Sequence, residues 1–408
     1  MKAQAQRAIA ECRLIATMSE EQGCTTRRFL TPPMHLVHAH LSARMAALGM
    51  KVNVDAAGNL RGRWQPAGVR GKRMILGSHI DTVPNAGAFD GVLGVVLALV
   101  WVEIAREIEL PQPIEVIAFS EEEGVRYGVP FLGSRAVAGC FDQTMLASLD
   151  VDGVHMDDAI RGFGLDPAKI GESALDDDVW GFVEIHIEQG PALEAENLPL
   201  AVVEGIVGQS RLGLQFTGQA NHAGTTPMHL RHDALAAAAE WIVQVESTAC
   251  KTEGLVATVG KISVEPNAGN VIPACAHVSL DVRHAQDAIR QSAVRELLTM
   301  AAIIAKRRGI AFQPSVQLDQ PSVPMDAQLT ALLAEAVAAA SFPLKTIPSG
   351  AGHDAMVMAT KVPTGMLFLR SPGGISHHPD ETVLEADVEA ALHVGREFLL
   401  LRRTAQLR

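Results

Sequence analysis

Histidine and carboxylate residues recur in this chain at the ends of apolar runs, the arrangement from which proteins build sites for divalent cations. His79-Ile80-Asp81 closes the run MILGSHIDTV. In an extended strand residues two apart point to the same side. His79 can therefore ligate a metal while Asp81 accepts its other ring N–H and fixes the tautomer. Asp90 follows in AFDG beside Gly91, placed either to reach the same centre or to cap the helix beginning at Gly91. Ser120-Glu121-Glu122-Glu123 ends a second apolar run. Three consecutive carboxylates there repel one another unless a cation neutralises them or the loop is exposed. Two adjacent glutamates suit a division of labour in which one binds metal and its neighbour serves as general base towards a water. His186 ends the apolar run of VEIHIEQG, where a lone histidine is as readily a satisfied core residue. His377 and His378 lie in GGISHHPDE, a Gly-rich, Pro-bounded loop with little structural need for histidine. Together these residues form a mixed N/O set that suits zinc or manganese. Five such ligands with one bridging carboxylate suit two metals about 3.5–4 Å apart better than one.

The elements that must position these residues alternate. The strand-like MILGSHIDTV is followed by VLGVVLALVWVEIAREI, of helical length and spacing, and then by the strand-like PIEVIAFSEEEG. That order predicts an α/β fold with a mostly parallel sheet flanked by helices, its sites at the carboxyl ends of the strands. From about Gln209 the texture changes to RLGLQFTGQA, LVATVGKISV and AHVSLDVRH, interleaved with the helix-like HDALAAAAEWIVQVE and AIRQSAVRELLTMAAIIAKRRG. Two helices on a small antiparallel sheet is the economical reading. After Pro321 the α/β texture returns in DAQLTALLAEAVAAA and PTGMLFLRS. The expected organisation is a discontinuous outer domain, 1–208 with 323–408, and an inserted α+β domain, 209–322.

At 408 residues the chain is too long for one compact core, which supports two domains. Apolar residues at 48% and charged residues at 20% exclude a largely disordered chain. A net charge of -12 repels phosphate backbones and argues against nucleic acid as a partner. MKAQAQRAIAECRLIATMSEE reads as an amphipathic helix without the features of a signal peptide. The longest apolar stretch, Val92 to Val102, is interrupted by Gly94 and closed by Glu103, well short of the roughly 20 residues that span a bilayer. A soluble cytoplasmic protein is expected, its five scattered cysteines free and buried.

Longer stretches are similar to the M20 metallopeptidase superfamily, and more closely to its branch of N-carbamoyl-L-amino-acid hydrolases, β-ureidopropionases and allantoate amidohydrolases. GSHIDTVPNAGAFDGVLGV resembles the first ligand block, FSEEEGVRYGVPFLGSRA the glutamate block, HIEQGPALE the histidine block and GQANHAGTTPM the lid block. GNVIP, DVRH, SGAGHDA and GISHHPDE continue the series in family order over nearly the whole chain. The resemblance implies a zinc-exopeptidase-like outer domain and a lid/dimerisation insert. It makes His79, Asp90, Glu123, His186 and His377 the ligands of two divalent ions (Zn, or Mn, Co or Ni), with Asp90 bridging. Glu122 becomes the general base, the glutamate pair being aligned immediately before Gly124, with Glu121 a third candidate. His377 is chosen over His378, which stands where the family pattern S-H-N-P has Asn. His186 in HIEQGP is similar to the carbamoyl-hydrolase branch, where a peptidase-like member would place Asp or Glu.

The lid block implies that His222 donates to the developing oxyanion in the partner subunit's site, hence a homodimer. Asn270 and Arg283 match positions that grip a substrate carboxylate, Arg283 being otherwise readable as one half of a surface ion pair. Gln189 resembles a residue lining the site, and His353 with Asp354 a supporting pair. Arg370 departs from the family, which commonly has proline or a small residue there; it either binds a second substrate anion or pairs with a nearby carboxylate. The implied reaction is hydrolysis of an N-carbamoyl-L-amino acid or a related ureido acid such as allantoate or ureidoglycolate, releasing ammonia and carbon dioxide. The rivals are an N-acyl-amino-acid deacylase or dipeptidase of the same superfamily, and a catalytically silent carboxylate-binding protein.

Overall fold

The computed structural model describes residues 1–406, and the chain divides into two compact units, Met1–Glu204 with Met325–Arg408, and Gly205–Pro324. The first is organised by a sheet that includes β1 (Lys51–Val54), β2 (Leu60–Trp64), β3 (Arg73–His79), β4 (Ile114–Phe119), β5 (Val179–Ile187), β6 (Leu200–Ile206) and β7 (Thr364–Leu369). Their spatial order is β1-β2-β4-β3-β5-β7-β6. The central strands β4, β3, β5 and β7 are mutually parallel, and antiparallel β2 and β6 flank them. The α/β class with a mainly parallel sheet is thus as expected. Parallel strands buried on both faces read as continuous apolar runs, and every residue of β3, β4 and β7 is buried.

Helix Val92–Glu107 lies directly on this sheet, because a Cβ on Gly94 would stand 2.0 Å from the Ile185 carbonyl oxygen. Its first turn is entered through Gly91 at φ 66°, a left-handed backbone that glycine adopts without steric cost. Asp90 does not cap the helix, which is preceded by Gly91 with no side-chain cap. The N-terminal stretch forms helix Lys2–Ala16 and buries Ala5, Ala8, Ile9, Cys12 and Ile15, a helical spacing. No helix among the described residues is long and apolar enough to cross a membrane. All five cysteines are free, but Cys140 and Cys250 are exposed rather than buried.

In the second unit five antiparallel strands pair: Gly208–Thr217, Val256–Thr258, Ile262–Glu265, Cys275–His284 and Ala311–Gln320. Strand Gly208–Thr217 alternates buried with partly exposed residues, placing Leu212, Leu214 and Phe216 against Trp241 and Leu297 of helices Ala234–Lys251 and Asp287–Arg307. LVATVGKISV is two strands, both pairing with Cys275–His284. Ala311–Gln320 escapes the sequence pattern because it is the mostly exposed edge strand and carries Pro314, which an edge tolerates.

One buried histidine of the first unit makes stability pH-dependent. His38 is 6% exposed, its Nε2 has no partner, and burial with the neighbouring His35 pushes its pKa down to about 4. The unfolded chain binds this proton near pH 6.5, so the contribution is complete above that pH and is lost as pH falls towards 4. The stability of wild type relative to His38→Leu, followed by urea unfolding, should therefore fall by about 3 kcal/mol between pH 7 and 4. A pH-independent difference would refute this.

Candidate metal centre

The carboxyl ends of β3, β4 and β5 and the loop after β7 bring the candidate ligands together. The Nδ1 of His79 donates to the Asp81 carbonyl at 3.0 Å, and that of His186 to the Ile187 carbonyl at 2.8 Å. With both Nδ1 protons so engaged, the lone pairs lie on the two Nε2 atoms, which face each other at 3.4 Å. Asp90 Oδ1 lies 3.3 Å from His186 Nε2 and 3.9 Å from His79 Nε2. Its other oxygen, Oδ2, is 3.2 Å from His377 Nε2, which is 3.3 Å from Glu123 Oε1. Four donor groups occur among the described residues; two of them, His79–Asp90–His186 and Asp90–Glu123–His377, share Asp90, and the others are Glu184–His186–His353 and His79–Glu122–Glu123. Converging imidazole lone pairs and carboxylates are donors that fit divalent cations.

Burial alone would raise the Asp90 pKa, but the hydrogen bond from His377 and the charges of His186 and His79 hold the carboxyl below the usual range. The hydrogen bonds to Asp90 and Glu123 raise His377 to about 10. Burial lowers the pKa of His79. Glu122 is 7% exposed, and burial followed by the charges of Glu123, Asp354, Asp81 and Asp90 raises its pKa well above the carboxylate range.

The three glutamates have separate surroundings. Glu121 turns away: its oxygens accept the Phe29 amide at 3.0 Å and the Arg126 amide at 2.8 Å, and burial with the Asp81 charge pushes its pKa up to about 8. Glu122 and Glu123 remain on the side of the histidines, grouped with His79. His378 faces Asp380 rather than Asp90.

Asp81 differs from expectation. The His79 ring is held by the main-chain carbonyl of Asp81, while the Asp81 carboxylate accepts the amides of Glu122 at 3.0 Å and Glu123 at 3.1 Å. The carboxylate lies 3.7 Å from His79 Nδ1, too far for a hydrogen bond. Asp81 thus orients the glutamates directly.

The other candidates fall in several places. Gln189 Nε2 donates to both Asp90 oxygens at 3.1 Å and to Ser376 Oγ at 3.2 Å. The His353 ring packs on His186, with centroids 4.4 Å apart, and its Nε2 is 2.9 Å from Ser349 Oγ. In the second unit His222 pairs with Val271, which brings it beside Asn270, whose carbonyl accepts the Ala223 amide at 3.0 Å. The Gly224 amide donates to His222 Nδ1 at 3.0 Å, leaving the neutral ring's proton on Nε2. Arg283 donates to Asp281 through Nε at 2.9 Å and Nη2 at 3.1 Å, an ion pair on its own strand.

Arg370 makes a bidentate pair with Asp387, at 2.8 and 2.7 Å, and donates to Asn197 at 3.1 Å. The carboxylate alternative is the one observed. Asp387 is 1% exposed, so Arg370→Ala strands a buried charge and should cost about 3–5 kcal/mol in urea unfolding, with KM unchanged. A raised KM with intact stability would return Arg370 to the substrate.

Sequence reasoning missed the supports of this centre. Arg27 is fully buried and donates to the Ile80 carbonyl at 3.0 Å and the Ile15 carbonyl at 3.2 Å, tying helix Lys2–Ala16 to the end of β3. In TTRRF it has no local signal. Glu184, two residues before His186 on β5, accepts from Ser78 Oγ at 2.9 Å and the Ala355 amide at 2.8 Å. Its period-two spacing from His186 could have flagged it.

Converging histidine and carboxylate donors at the strand ends of a mainly parallel sheet mark a metal-dependent hydrolase. Residues 75–401 match the peptidase family M20/M25/M40, and the chain belongs to that family. Allantoate deiminase 1 of Glycine max is 38% identical over 427 residues, covering 96% of this chain and 88% of the relative. An N-carbamoyl-L-amino-acid amidohydrolase of Paenarthrobacter aurescens is 37% identical, covering 93% of each chain. The crystal structure of an amidase of the hydantoinase/carbamoylase family from Burkholderia multivorans is similar with a TM-score of 0.91, at 31% identity over 98% of this chain and 97% of that one.

Proposed function

We propose that this protein is a metal-dependent amidohydrolase that cleaves the C–N bond of an N-carbamoyl-L-amino acid or a related ureido acid such as allantoate or ureidoglycolate. The observation that carries the reading is the pair of donor groups sharing Asp90 beside the buried carboxyl of Glu122. The resemblance to allantoate deiminases and carbamoyl-amino-acid amidohydrolases selects the substrate class.

In this reading His79, Asp90 and His186 would hold one divalent cation and Asp90, Glu123 and His377 would hold a second, each Zn, Mn, Co or Ni. Bound cations supply Lewis acidity, lowering the pKa of a water and polarising the scissile carbonyl. Glu122 accepts the proton of the attacking water and passes it to the leaving nitrogen. Asp81, through the Glu122 and Glu123 amides, fixes where that carboxyl stands. His222 of the partner subunit donates through Nε2–H to the carbonyl oxygen as it becomes negative, a role worth roughly 2.7–4 kcal/mol. Its tautomer, set by the Gly224 amide, supports this role. Asn270 and Arg283 hold the substrate carboxylate, Asp281 fixing the direction of the Arg283 fork. The protein acts as a homodimer in the cytoplasm, a compartment that suits its five free thiols.

The test is ammonia release by metal-reconstituted protein across N-carbamoyl-L-amino acids, N-carbamoyl-β-alanine, allantoate and ureidoglycolate, with free amino acid measured in parallel on N-acetyl amino acids and dipeptides, whose hydrolysis yields no ammonia. Turnover of a carbamoyl or ureido substrate is expected. Cleavage confined to acetyl or peptide substrates would overturn the substrate class, and silence throughout with retained carboxylate binding would overturn the enzyme.

A further inference from the structure

Glu381 lies in the same loop as His377 but contributes to none of the donor groups. It is 4% exposed, and its carboxylate reaches across to the loop that precedes helix Val92–Glu107. Its Oε1 accepts the main-chain amides of Phe89 at 2.9 Å and Asp90 at 3.0 Å. Its Oε2 accepts from Ser376 Oγ, next to His377, at 3.3 Å. Ser376 Oγ in turn accepts from Gln189 Nε2 at 3.2 Å. One carboxyl therefore joins the backbone of Asp90 to the loop of His377, although the amide of Asp90 and Glu381 are 291 residues apart.

The surrounding chain leaves room for this bridge. A Cβ on Gly87 would lie 2.4 Å from both the Cβ and the Oε1 of Glu381. Gly87 is not held at positive φ, so its requirement for glycine comes from the Glu381 side chain. The two amides are buried with Asp90, and amides in such a place cost free energy if left without an acceptor.

We propose that Glu381 is a positioning residue for the metal centre, fixing Asp90 relative to His377 so that both Asp90 oxygens face their separate partners. The proposal rests on the reading of Asp90 and His377 as ligands. Glu381 acts through hydrogen bonds it accepts and not through its charge. A glutamine in its place can still accept both amides through its carbonyl oxygen, and its NH2 group can donate to Ser376 Oγ.

The experiment is a Mn2+ titration of chelator-stripped full-length protein, against a competing chelator, with apo-protein melting measured in parallel. Partners that orient metal ligands typically change metal affinity by about 10–100-fold. Glu381→Ala should weaken Mn2+ binding by about that factor, while Glu381→Gln stays within about threefold of wild type. Gly87→Ala should reproduce the loss, because its methyl displaces the Glu381 carboxylate. If Glu381→Ala does not fold, Gly87→Ala and Glu381→Gln decide the question. Normal Mn2+ binding by Gly87→Ala and Glu381→Ala, with binding lost in Asp90→Ala, would overturn the role of Glu381 and leave the ligand reading intact. Normal binding by Asp90→Ala as well would overturn the ligand reading. Equal losses in the Gln and Ala variants would overturn the claim that hydrogen-bond acceptance is what Glu381 supplies.

Discussion

Glu122→Gln should leave a protein that binds its cations and substrate but turns over about 10²–10⁴-fold more slowly, the range over which a positioned general base contributes. The substitution keeps the shape of the side chain and the main-chain amide that donates to Asp81 at 3.0 Å, so the loop should not move. What is lost is the carboxylate that bound cations would keep ionised against its buried acidic neighbours, able to take a proton from water and give it to the leaving nitrogen. Glu121→Gln is the matched control. Burial and the Asp81 charge raise the Glu121 pKa, and its two oxygens accept the Phe29 and Arg126 amides rather than facing the histidines. A glutamine in its place keeps one acceptor but turns an NH2 towards the other amide, so Glu121→Gln should lose about 1–3 kcal/mol of stability, while kcat should stay within about tenfold of wild type, since Glu121 is assigned no proton transfer. Single-turnover kinetics with metal content measured on the same samples separates the two variants. A severe defect in Glu121→Gln with a mild one in Glu122→Gln would reassign the base.

Asp90→Ala should abolish tight binding of both cations and with it all turnover. The expectation follows from the division of its oxygens, Oδ1 towards His186 at 3.3 Å and Oδ2 towards His377 at 3.2 Å. His186→Ala and His377→Ala should each weaken one cation selectively, because each belongs to only one of the two donor groups that share Asp90. Asp90→Ala should also be less stable than wild type when metal-free at neutral pH, since the lowered pKa of Asp90 reports a net favourable setting for its carboxylate, which also accepts from Gln189. Metal analysis after gel filtration, together with thermal melts with and without Mn2+, reads both effects. Retention of one full equivalent of metal in Asp90→Ala would show that its carboxylate does not bridge.

Much of the centre could be found in the chain because its donors sit at the ends of strands. His79, Glu122, Glu123 and His186 stand where buried apolar runs turn polar, and a parallel sheet gathers such ends on one side. The second unit was equally legible where Leu212, Leu214 and Phe216 alternate with polar residues, and it was missed at the edge strand Ala311–Gln320, which buries little and so carries no period. Asp81 shows the limit on a finer scale. Spacing of two placed it on the side of His79, but the main chain turns so that its carbonyl meets the ring and its carboxylate meets the Glu122 and Glu123 amides.

The sequence alone determined the alternating βαβ layout, the inserted antiparallel segment and the residue types of a metal site, since each is written in local periodicity or in side-chain chemistry. Only the tertiary structure decided which acceptor each donor meets. It turned Glu121 away towards Phe29 and Arg126, separated His377 from His378, paired Arg370 with Asp387 and brought Glu381 to the Asp90 amide. The physical reason is that hydrogen bonds and ion pairs form over about 3 Å between groups that can be hundreds of residues apart, and no local pattern encodes such a meeting.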